Sequence, residues 1–333
     1  MLLKEKIPLI YHHLLTNLLE IEVPDEKLSP CQNCNLCQNQ KSPYLDTKCC
    51  NYHPIQVNYL LGAILQDQNA SMEYGRKQIR IQIQAQKGVS PFGIEPDKIY
   101  LANQERILLK ETIFQSKEEI DSQRCPYYDQ GNCSVWQYRE HLCVTYFCAS
   151  VSGSVGHAFW RELDEILREM EHKLANFVTQ KLGFSIKGPI SNQHQSSDNE
   201  NWKTQNLDLE AFYKKAYGLV LDMKKETFHQ LMGEDWYKKI EDLTLQAEMF
   251  RATKFPSLLK LNESLKIIKL DSGNLSLHVG NLSEEISPIV YNLIKLFDGK
   301  RSTEDVYGKA FQVLYNLNEH LEIFIEKGIL VAV

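Results

Sequence analysis

All nine cysteines of this 333-residue chain lie within its first 148 residues, in two dense groups. The first group holds Cys31, Cys34, Cys37, Cys49 and Cys50, and the second holds Cys125, Cys133, Cys143 and Cys148. Such groups are a typical ligand set for a metal, because a zinc ion or an iron–sulfur cluster takes about four thiolates. Cysteines that serve only as small buried apolar residues have no reason to gather in this way. The pattern therefore predicts a metal-binding domain, with all nine cysteines as candidate ligands.

The spacing inside the first group leaves the kind of metal open. Cys31, Cys34 and Cys37 repeat the Cys-x2-Cys pattern, which places thiolates on one tight turn. The same run matches the first three ligands of a bacterial ferredoxin, whose remote fourth ligand precedes a proline, as Cys125 does. Eight thiols fill two four-coordinate sites, or one cluster and one zinc site, and the ninth is then spare. Zinc and an iron–sulfur cluster are therefore both expected cofactors.

Two histidines lie among the cysteines. His53 and His141 are further imidazole candidates, although a supporting position beside the ligands or a place at the surface is their expected role. Glu169 and His172 fit the Glu-x2-His motif of di-iron bundles, but a helical wheel places Glu169 off the apolar stripe, with His172 nearly opposite that stripe. A di-iron site needs ligands that point into the bundle, so Glu169 and His172 are predicted to be a solvent-exposed pair instead.

Composition and charge limit the number of domains and the kinds of partner that are expected. With 43% hydrophobic residues, the chain is able to bury a core over two or three domains. A formal net charge of −6 disfavours nucleic acid as a partner, because nucleic-acid-binding domains usually carry a basic face. No apolar run approaches the roughly 18 residues of a membrane span.

The first twenty residues indicate the compartment. The stretch from Met1 to Glu20 has leucines at helical spacing interrupted by charges, which predicts an amphipathic helix rather than a signal peptide. A cytoplasmic protein is expected on this basis. In a reducing compartment thiols stay unpaired, and the odd count of nine also fits disulfides poorly, so the metal interpretation gains.

Hydrophobic periodicity predicts a mainly α chain of three parts. Residues 1–182 form the cysteine-cluster domain, an irregular fold held together by metal, which closes with a helix from Val155 to Gln180. Residues 183–262 form a middle segment, with a polar linker at 183–207 followed by helices that end near Pro256. Residues 263–333 form a small α+β domain.

The α+β domain has a clear local pattern. A β-hairpin is predicted around Asp271–Asn274, followed by three short helices and a closing strand at Ile329–Val331. The first of these helices stops at Gly299, and the second opens with Ser302 as a helix cap.

The second cysteine group carries a family resemblance. Its sequence reads Cys125-Pro126, then Cys133-x2-Trp136-x2-Arg139-x3-Cys143-x4-Cys148. Over about residues 28–150 the chain resembles the YkgJ-like cysteine-cluster proteins, described as zinc- or iron-chelating. That resemblance implies a metal-binding domain. Two positions depart from the family pattern, with Glu140 in place of proline and Val144 in place of arginine.

Aromatic residues accompany the same cysteines. Trp136, Tyr138, Tyr146 and Phe147 are expected to pack around the metal and exclude water from it.

The C-terminal part carries a second resemblance. The stretch from Glu285 to Val306, with Gly299 and Ser302 inside it and Lys327–Val331 at its end, resembles PqqD-like domains. Such domains are small winged-helix folds, and the resemblance implies that a peptide or protein partner adds a strand to the edge of a sheet. A winged helix that serves only for packing is the alternative.

Two functions follow for the whole chain. The first is a metal-binding module with a structural ion and a C-terminal partner-binding domain. The second is a metalloenzyme or redox protein that modifies a peptide or protein. Four thiolates fill all positions of a metal and favour the first, whereas three thiolates and an open position favour the second. The sequence leaves both open and identifies no catalytic residue.

Overall fold

The computed structural model describes residues 1–27, 49–108, 123–185, 207–253, 255–310 and 317–333. Within these residues the chain is mainly α-helical with small antiparallel sheets, as predicted. None of the helices there is both long enough and apolar enough to span a bilayer. Most of the predicted linker, residues 186–206, and Cys31, Cys34 and Cys37 lie outside the described residues.

The helices and strands of the described residues are numbered in chain order. The helices are α1 Thr16–Leu19, α2 Asn58–Gln66, α3 Glu73–Gln84, α4 Lys98–Leu108, α5 His141–Thr145, α6 Gly153–Lys181, α7 Leu209–Leu221, α8 Lys225–Met232, α9 Asp235–Ala252, α10 Pro288–Ile294, α11 Thr303–Ala310 and α12 Leu317–Glu326. The strands are β1 Gln56–Val57, β2 Val89–Ser90, β3 Gly93–Ile94, β4 Tyr128–Asp129, β5 Asn132–Cys133, β6 Leu258–Leu261, β7 Lys266–Lys269, β8 Leu275–Val279, β9 Leu282–Ile286, β10 Asp298–Ser302 and β11 Leu330–Ala332. Their sheet orders are β1-β3-β2, β4-β5, β10-β6-β11 and β7-β8-β9.

The chain divides into two compact units. The first unit consists of Met1–Glu22, Pro43–Tyr146 and Trp160–Leu245, and the second of Val23–Ser42, Phe147–Phe159 and Gln246–Val333. The predicted C-terminal domain, residues 263–333, falls whole within the second unit. The predicted boundaries at 182 and 262 stay predictions.

Helix α6 confirms the strongest helical pattern of the sequence. It runs from Gly153 to Lys181, where a helix from Val155 to Gln180 was predicted. The residues of the predicted stripe repeat at helical spacing and are buried, with Phe177 half-buried. The fully buried members are Phe159, Leu163, Ile166, Leu167, Met170, Leu174 and Val178.

The N-terminal prediction of a single helix was wrong. The segment forms two 3-10 turns, Leu3–Glu5 and Leu9–Tyr11, before the short helix α1. Pro8 stands between the turns, and proline has no N–H group with which to continue a helix. The leucines of the predicted pattern, Leu14, Leu15, Leu18 and Leu19, are buried nevertheless, whereas Leu9 is 73% exposed. The second turn places Tyr11 in the interior of the first unit.

Helices α2 and α7 pack against each other in the first unit at very short range. Gly62 on α2 faces the backbone of Tyr213 on α7, where an added Cβ would lie only 1.9 Å from the Tyr213 carbonyl oxygen. Asn58 opens α2, and its side-chain nitrogen lies 2.8 Å from Thr179 Oγ1 on α6. These contacts fix α2 between the two longer helices.

The second unit confirms most of the pattern predicted for the C-terminal domain. Strands β7 and β8 pair around a turn in which Gly273 has a φ of 86°, a left-handed conformation that suits glycine. Helices α10, α11 and α12 and strand β11 follow at the predicted places. Ser302 Oγ accepts a hydrogen bond of 3.0 Å from Asp305 N, as predicted for a helix cap. Strands β6, β9 and β10 were not predicted, and α10 ends at Ile294, before the predicted stop at Gly299, which lies in β10.

Candidate metal centre

The described cysteines fall into both units. Cys49, Cys50, Cys125, Cys133 and Cys143 belong to the first unit, and Cys148 belongs to the second. Cys148 is partly buried against the apolar core of the second unit. The metal-ligand role of all nine cysteines stays a prediction, and the geometry of the first unit bears on five of them.

A tight hairpin connects two of these thiols. Strands β4 and β5 pair through Tyr128 with Cys133, and Asp129 with Asn132. The two residues between the strands, Gln130 and Gly131, have φ angles of 45° and 93°. Positive φ at both positions is the signature of the type I′ turn, which Gly131 favours. The hairpin therefore brings the chain back on itself, so that Cys133 returns to the neighbourhood of Cys125.

Both thiols of this hairpin accept backbone hydrogen bonds. The N–H of Tyr127 donates to the Cys125 sulfur, and the N–H of Val135 donates to the Cys133 sulfur. Each donor lies two residues beyond its cysteine. Burial raises the pKa of both thiols, while these hydrogen bonds oppose the rise because they stabilise the thiolate form.

Cys50 and Cys143 complete what we term the thiol group, Cys50, Cys125, Cys133 and Cys143. The N–H of Cys125 donates to the Cys50 carbonyl oxygen at 2.6 Å. Besides burial, the charges of Cys133 and Cys50 raise the pKa of Cys125, and the charges of Cys125 and Cys133 raise that of Cys143. The ionisation of Cys125 and of Cys143 thus depends on neighbouring thiols of the group. No three thiols of the described residues lie within 4.8 Å of one another.

Glu140 links this group to a second set of polar residues. Its side chain is fully buried and caps α5, accepting hydrogen bonds of 3.0 Å from Leu142 N and Cys143 N. The side chain of Cys143 also hydrogen-bonds to Glu140. A proline at this position, as in the resembling family, would supply no such cap.

Glu140 is one of three potential metal ligands that lie close together. Suitable atoms of Glu140, His141 and Glu171 all lie within 4.8 Å of one another, and within the described residues this is the one group of three or more that does so. His141 Nε2 lies 3.2 Å from Glu140 Oε2, and the backbone N–H of His141 donates to Glu171 Oε2 at 3.2 Å. Glu171 comes from α6, where its side chain is buried.

Further side chains hold these three residues in place. His141 Nδ1 lies 2.8 Å from Asp164 Oδ1, which also accepts from Thr145 Oγ1 at 3.1 Å. The Tyr11 hydroxyl donates to Glu171 Oε1 at 3.0 Å and lies 3.0 Å from the Tyr59 hydroxyl. The group is therefore built from residues that lie far apart in the sequence.

The ionisation of these residues is strongly perturbed. Burial opposes protonation of His141, but the hydrogen bond to Asp164 and the charges of Glu171 and Glu140 outweigh it and raise its pKa to about 9. Burial, reinforced by the charge of Glu140, raises the pKa of Glu171 to about 8 against the opposing charge of His141. Burial and the charge of His141 lower the pKa of His172 to about 4.

The structure bears on two of the histidine predictions. His53 stacks on Tyr100, and its Nε2 lies 2.8 Å from the Arg124 carbonyl oxygen, while its position beside a metal ligand stays a prediction. Glu169 is partly exposed and pairs with Lys173 at 2.8 Å and with Lys239, as expected for a residue off the apolar stripe. The prediction of a solvent-exposed His172 was wrong, because its ring packs edge-on against Phe92 and His141 and is half-buried.

The expected aromatic shell was partly wrong. Trp136 is 56% exposed and Tyr146 is 41% exposed, so neither side chain belongs to a packed shell that excludes water. The guanidinium of Arg139 lies 3.4 Å from the centre of the Trp136 ring, which explains how the indole is held at the surface. The buried aromatic residues of the hairpin are Tyr127 and Tyr128 instead.

Sequence reasoning missed Glu140 and Glu171 as functional candidates. A signal was present for each of them. Glu140 replaces the usual proline directly before a histidine, and Glu171 interrupts the apolar stripe of α6 between Leu167 and Leu174. A carboxylate on the buried face of a helix needs a partner or a cation, because burial of an unpaired charge is costly.

No protein-family model, curated protein or solved structure was found to match the chain. The resemblances drawn from the cysteine spacing and from the C-terminal pattern therefore rest on those motifs alone, and they stay predictions.

Proposed function

We propose that this chain is a metal-binding cysteine-cluster protein, and that the thiol group of Cys50, Cys125, Cys133 and Cys143 holds zinc or an iron–sulfur cluster. The observation that carries the proposal is the pair of backbone hydrogen bonds to Cys125 and Cys133. A neutral thiol is a weak acceptor and gains little from an N–H donor, whereas a metal-bound thiolate carries negative charge that such a donor stabilises.

The polarity of the surroundings supports the same proposal. Burial raises the pKa of Cys125, Cys133 and Cys143, so the thiolate form requires a compensating positive charge. A soft or borderline metal ion supplies that charge and deprotonates the thiols that it binds. Four thiolates fill the positions of one ion, which favours a structural centre over the metalloenzyme or redox alternative.

Substitution by cobalt tests this proposal. Chelator-treated protein titrated with Co²⁺ is expected to develop the intense near-ultraviolet thiolate-to-cobalt absorption and the visible bands of tetrahedral Co²⁺. The bands should saturate at about one or two ions per chain, since each site takes about four thiolates. Addition of Zn²⁺ should then abolish them. Weak pink octahedral absorption alone would contradict thiolate ligation.

The proposal includes a PqqD-like winged-helix domain at residues 263–333 that binds a peptide. Strand β7 pairs only with β8 in the described part of the chain, and all four of its residues are exposed. Ile267 and Ile268 on β7 are 43% and 52% exposed, which is unusual on an open strand edge. A peptide that adds a strand at this edge would satisfy the backbone groups and cover the isoleucines.

A displayed peptide library selected on the full chain tests the peptide site. Selected peptides are expected to bind wild-type protein and to lose at least tenfold in affinity for the double variant Ile267→Lys, Ile268→Lys. Leu282→Lys, on the opposite edge strand β9 with a residue that is 50% exposed, serves as the matched control and should bind normally. Equal binding to all three proteins would place the peptide elsewhere.

A further inference from the structure

We infer that Glu140, His141 and Glu171 form a second cation site, which takes a divalent transition-metal ion and is distinct from the thiol group. The inference goes beyond the proposed function, because its ligands are oxygen and imidazole nitrogen atoms and include no sulfur.

The ligand atoms are already gathered. One atom from each side chain lies within 4.8 Å of the other two, a spacing that lets a single ion reach all three. The ligands come from two elements, with Glu140 and His141 at the start of α5 and Glu171 on α6. Both carboxylates are at most 1% exposed. The packing of two helices therefore holds the three side chains together, and they are not a chance cluster of exposed surface groups.

The orientation of His141 points to a ligand. A metal-binding histidine usually donates its other ring N–H to a carboxylate, which fixes the ring and its tautomer. Asp164 is placed for this role, with Oδ1 2.8 Å from His141 Nδ1, and Thr145 steadies the same oxygen. The contact with Asp164 therefore occupies Nδ1, and Nε2 faces Glu140, where it is placed to bind a metal ion.

The carboxylates are held in the same manner. Glu171 accepts from the Tyr11 hydroxyl and from the backbone N–H of His141. Glu140 accepts from the backbone N–H groups of Leu142 and Cys143 and is also hydrogen-bonded to the Cys143 side chain. An ionised carboxylate has about four acceptor positions, so about two or three hydrogen bonds leave at least one for a cation. Metal-binding carboxylates typically have this outer support.

The charges favour a cation as well. Glu140, Glu171 and Asp164 bring three carboxyl groups to one imidazole, whose side chain is 12% exposed. A divalent ion between the carboxylates replaces their repulsion by attraction. One imidazole with two carboxylates suits Zn²⁺, Fe²⁺ or Mn²⁺ better than Mg²⁺ or Ca²⁺, which prefer oxygen alone. Three protein ligands also leave a coordination position for water.

The competing explanation is a structural ion pair, in which protonated His141 bridges Glu140 and Asp164 without any metal. Titration of the chelator-treated full chain with Mn²⁺, followed by electron paramagnetic resonance of the free ion, separates the two. The metal site predicts loss of the free signal for about one equivalent of Mn²⁺ per chain. The ion pair predicts no binding, and that result would overturn the inference.

Two variants sharpen the test. Glu171→Gln keeps an acceptor for Tyr11 and should weaken Mn²⁺ binding more than about 100-fold, since even outer-shell changes cost 10–100-fold. Glu169→Gln removes a surface carboxylate from the same helix and should bind Mn²⁺ like wild type. Unchanged Mn²⁺ affinity in Glu171→Gln would overturn the inference.

The test remains decisive if Glu171→Gln does not fold. Asp164→Asn, at a side chain that is 18% exposed beside His141, should then weaken Mn²⁺ binding by about 10–100-fold, whereas unchanged affinity would overturn the inference. Glu171→Gln should also retain the thiolate-to-cobalt absorption of the wild type. Loss of Mn²⁺ binding with that absorption kept shows two sites, and absence of the absorption in wild type affects only the thiol proposal.

Discussion

Replacement of Cys133 by serine is expected to lower the affinity of the chain for its metal by more than about 100-fold. Cys133 ends the β4–β5 hairpin, and its sulfur accepts the Val135 N–H, so the thiolate is a direct ligand in this account. Serine is a poor ligand for a soft ion because its hydroxyl does not ionise at neutral pH. Since bound metal stabilises only the folded chain, a 100-fold loss corresponds to about 2.7 kcal/mol of unfolding free energy at saturating metal.

The measurement combines metal analysis with thermal unfolding. Asn132→Ala alters the neighbouring exposed residue of the same hairpin and should leave both quantities near their wild-type values. Cys125→Ser and Cys143→Ser should behave like Cys133→Ser. The sequence predicts the same for Cys148→Ser, although Cys148 belongs to the second unit, so this variant decides whether Cys148 is a ligand. Full metal content and an unchanged melting temperature in Cys133→Ser would refute the ligand assignment.

Gly62→Val is expected to destabilise the first unit by about 3 kcal/mol or more, independently of metal. A Cβ at this position would lie 1.9 Å from the Tyr213 carbonyl oxygen and 2.8 Å from Tyr217 Cβ, so α2 and α7 would have to move apart. That movement opens voids along a buried interface, and the backbone atom of Tyr213 cannot rotate away as a flexible side chain would.

Gly218→Ala is the matched control for the packing prediction. Gly218 lies on α7 as well, but a Cβ there meets nothing within 4 Å. Alanine in a helix interior is more favourable than glycine, so this variant should be more stable by up to about 1 kcal/mol. Denaturant unfolding of both variants gives the comparison. Equal stability of Gly62→Val and wild type would show that α2 and α7 do not pack as described.

Elements with strong local patterns were predictable from the sequence. Helix α6 shows this best, because a long apolar stripe at helical spacing determines both the element and its buried face. The β7–β8 hairpin and the Ser302 cap likewise depend on residues close together in the chain. The prediction for the N-terminal segment failed because Leu14, Leu15, Leu18 and Leu19 are buried whether the segment is one helix or not. Their burial alone does not distinguish a single helix from turns broken at Pro8.

The candidate sites divide in the same way. Clustered cysteines predict a metal site from the sequence alone, and the resemblance adds their expected roles; both stay predictions. Glu171 and Tyr11 are separated by 160 residues, and only the folding of α6 against the N-terminal turns brings their side chains together. No sequence motif of fixed spacing predicts a contact between residues so far apart. A charged residue inside an apolar stripe was the one local sign of it.

Anaerobic purification followed by metal and sulfide analysis tests the central claim most directly, when it is combined with labelling of the cysteines. The account predicts bound metal and protection of Cys125 and Cys133 from a thiol reagent until a chelator is added. Iron with inorganic sulfide and broad visible absorption would identify a cluster and favour the redox function, whereas zinc without sulfide would identify a structural ion. A metal-free protein, labelled equally at Cys125 and Cys133 with and without the chelator, would contradict the account.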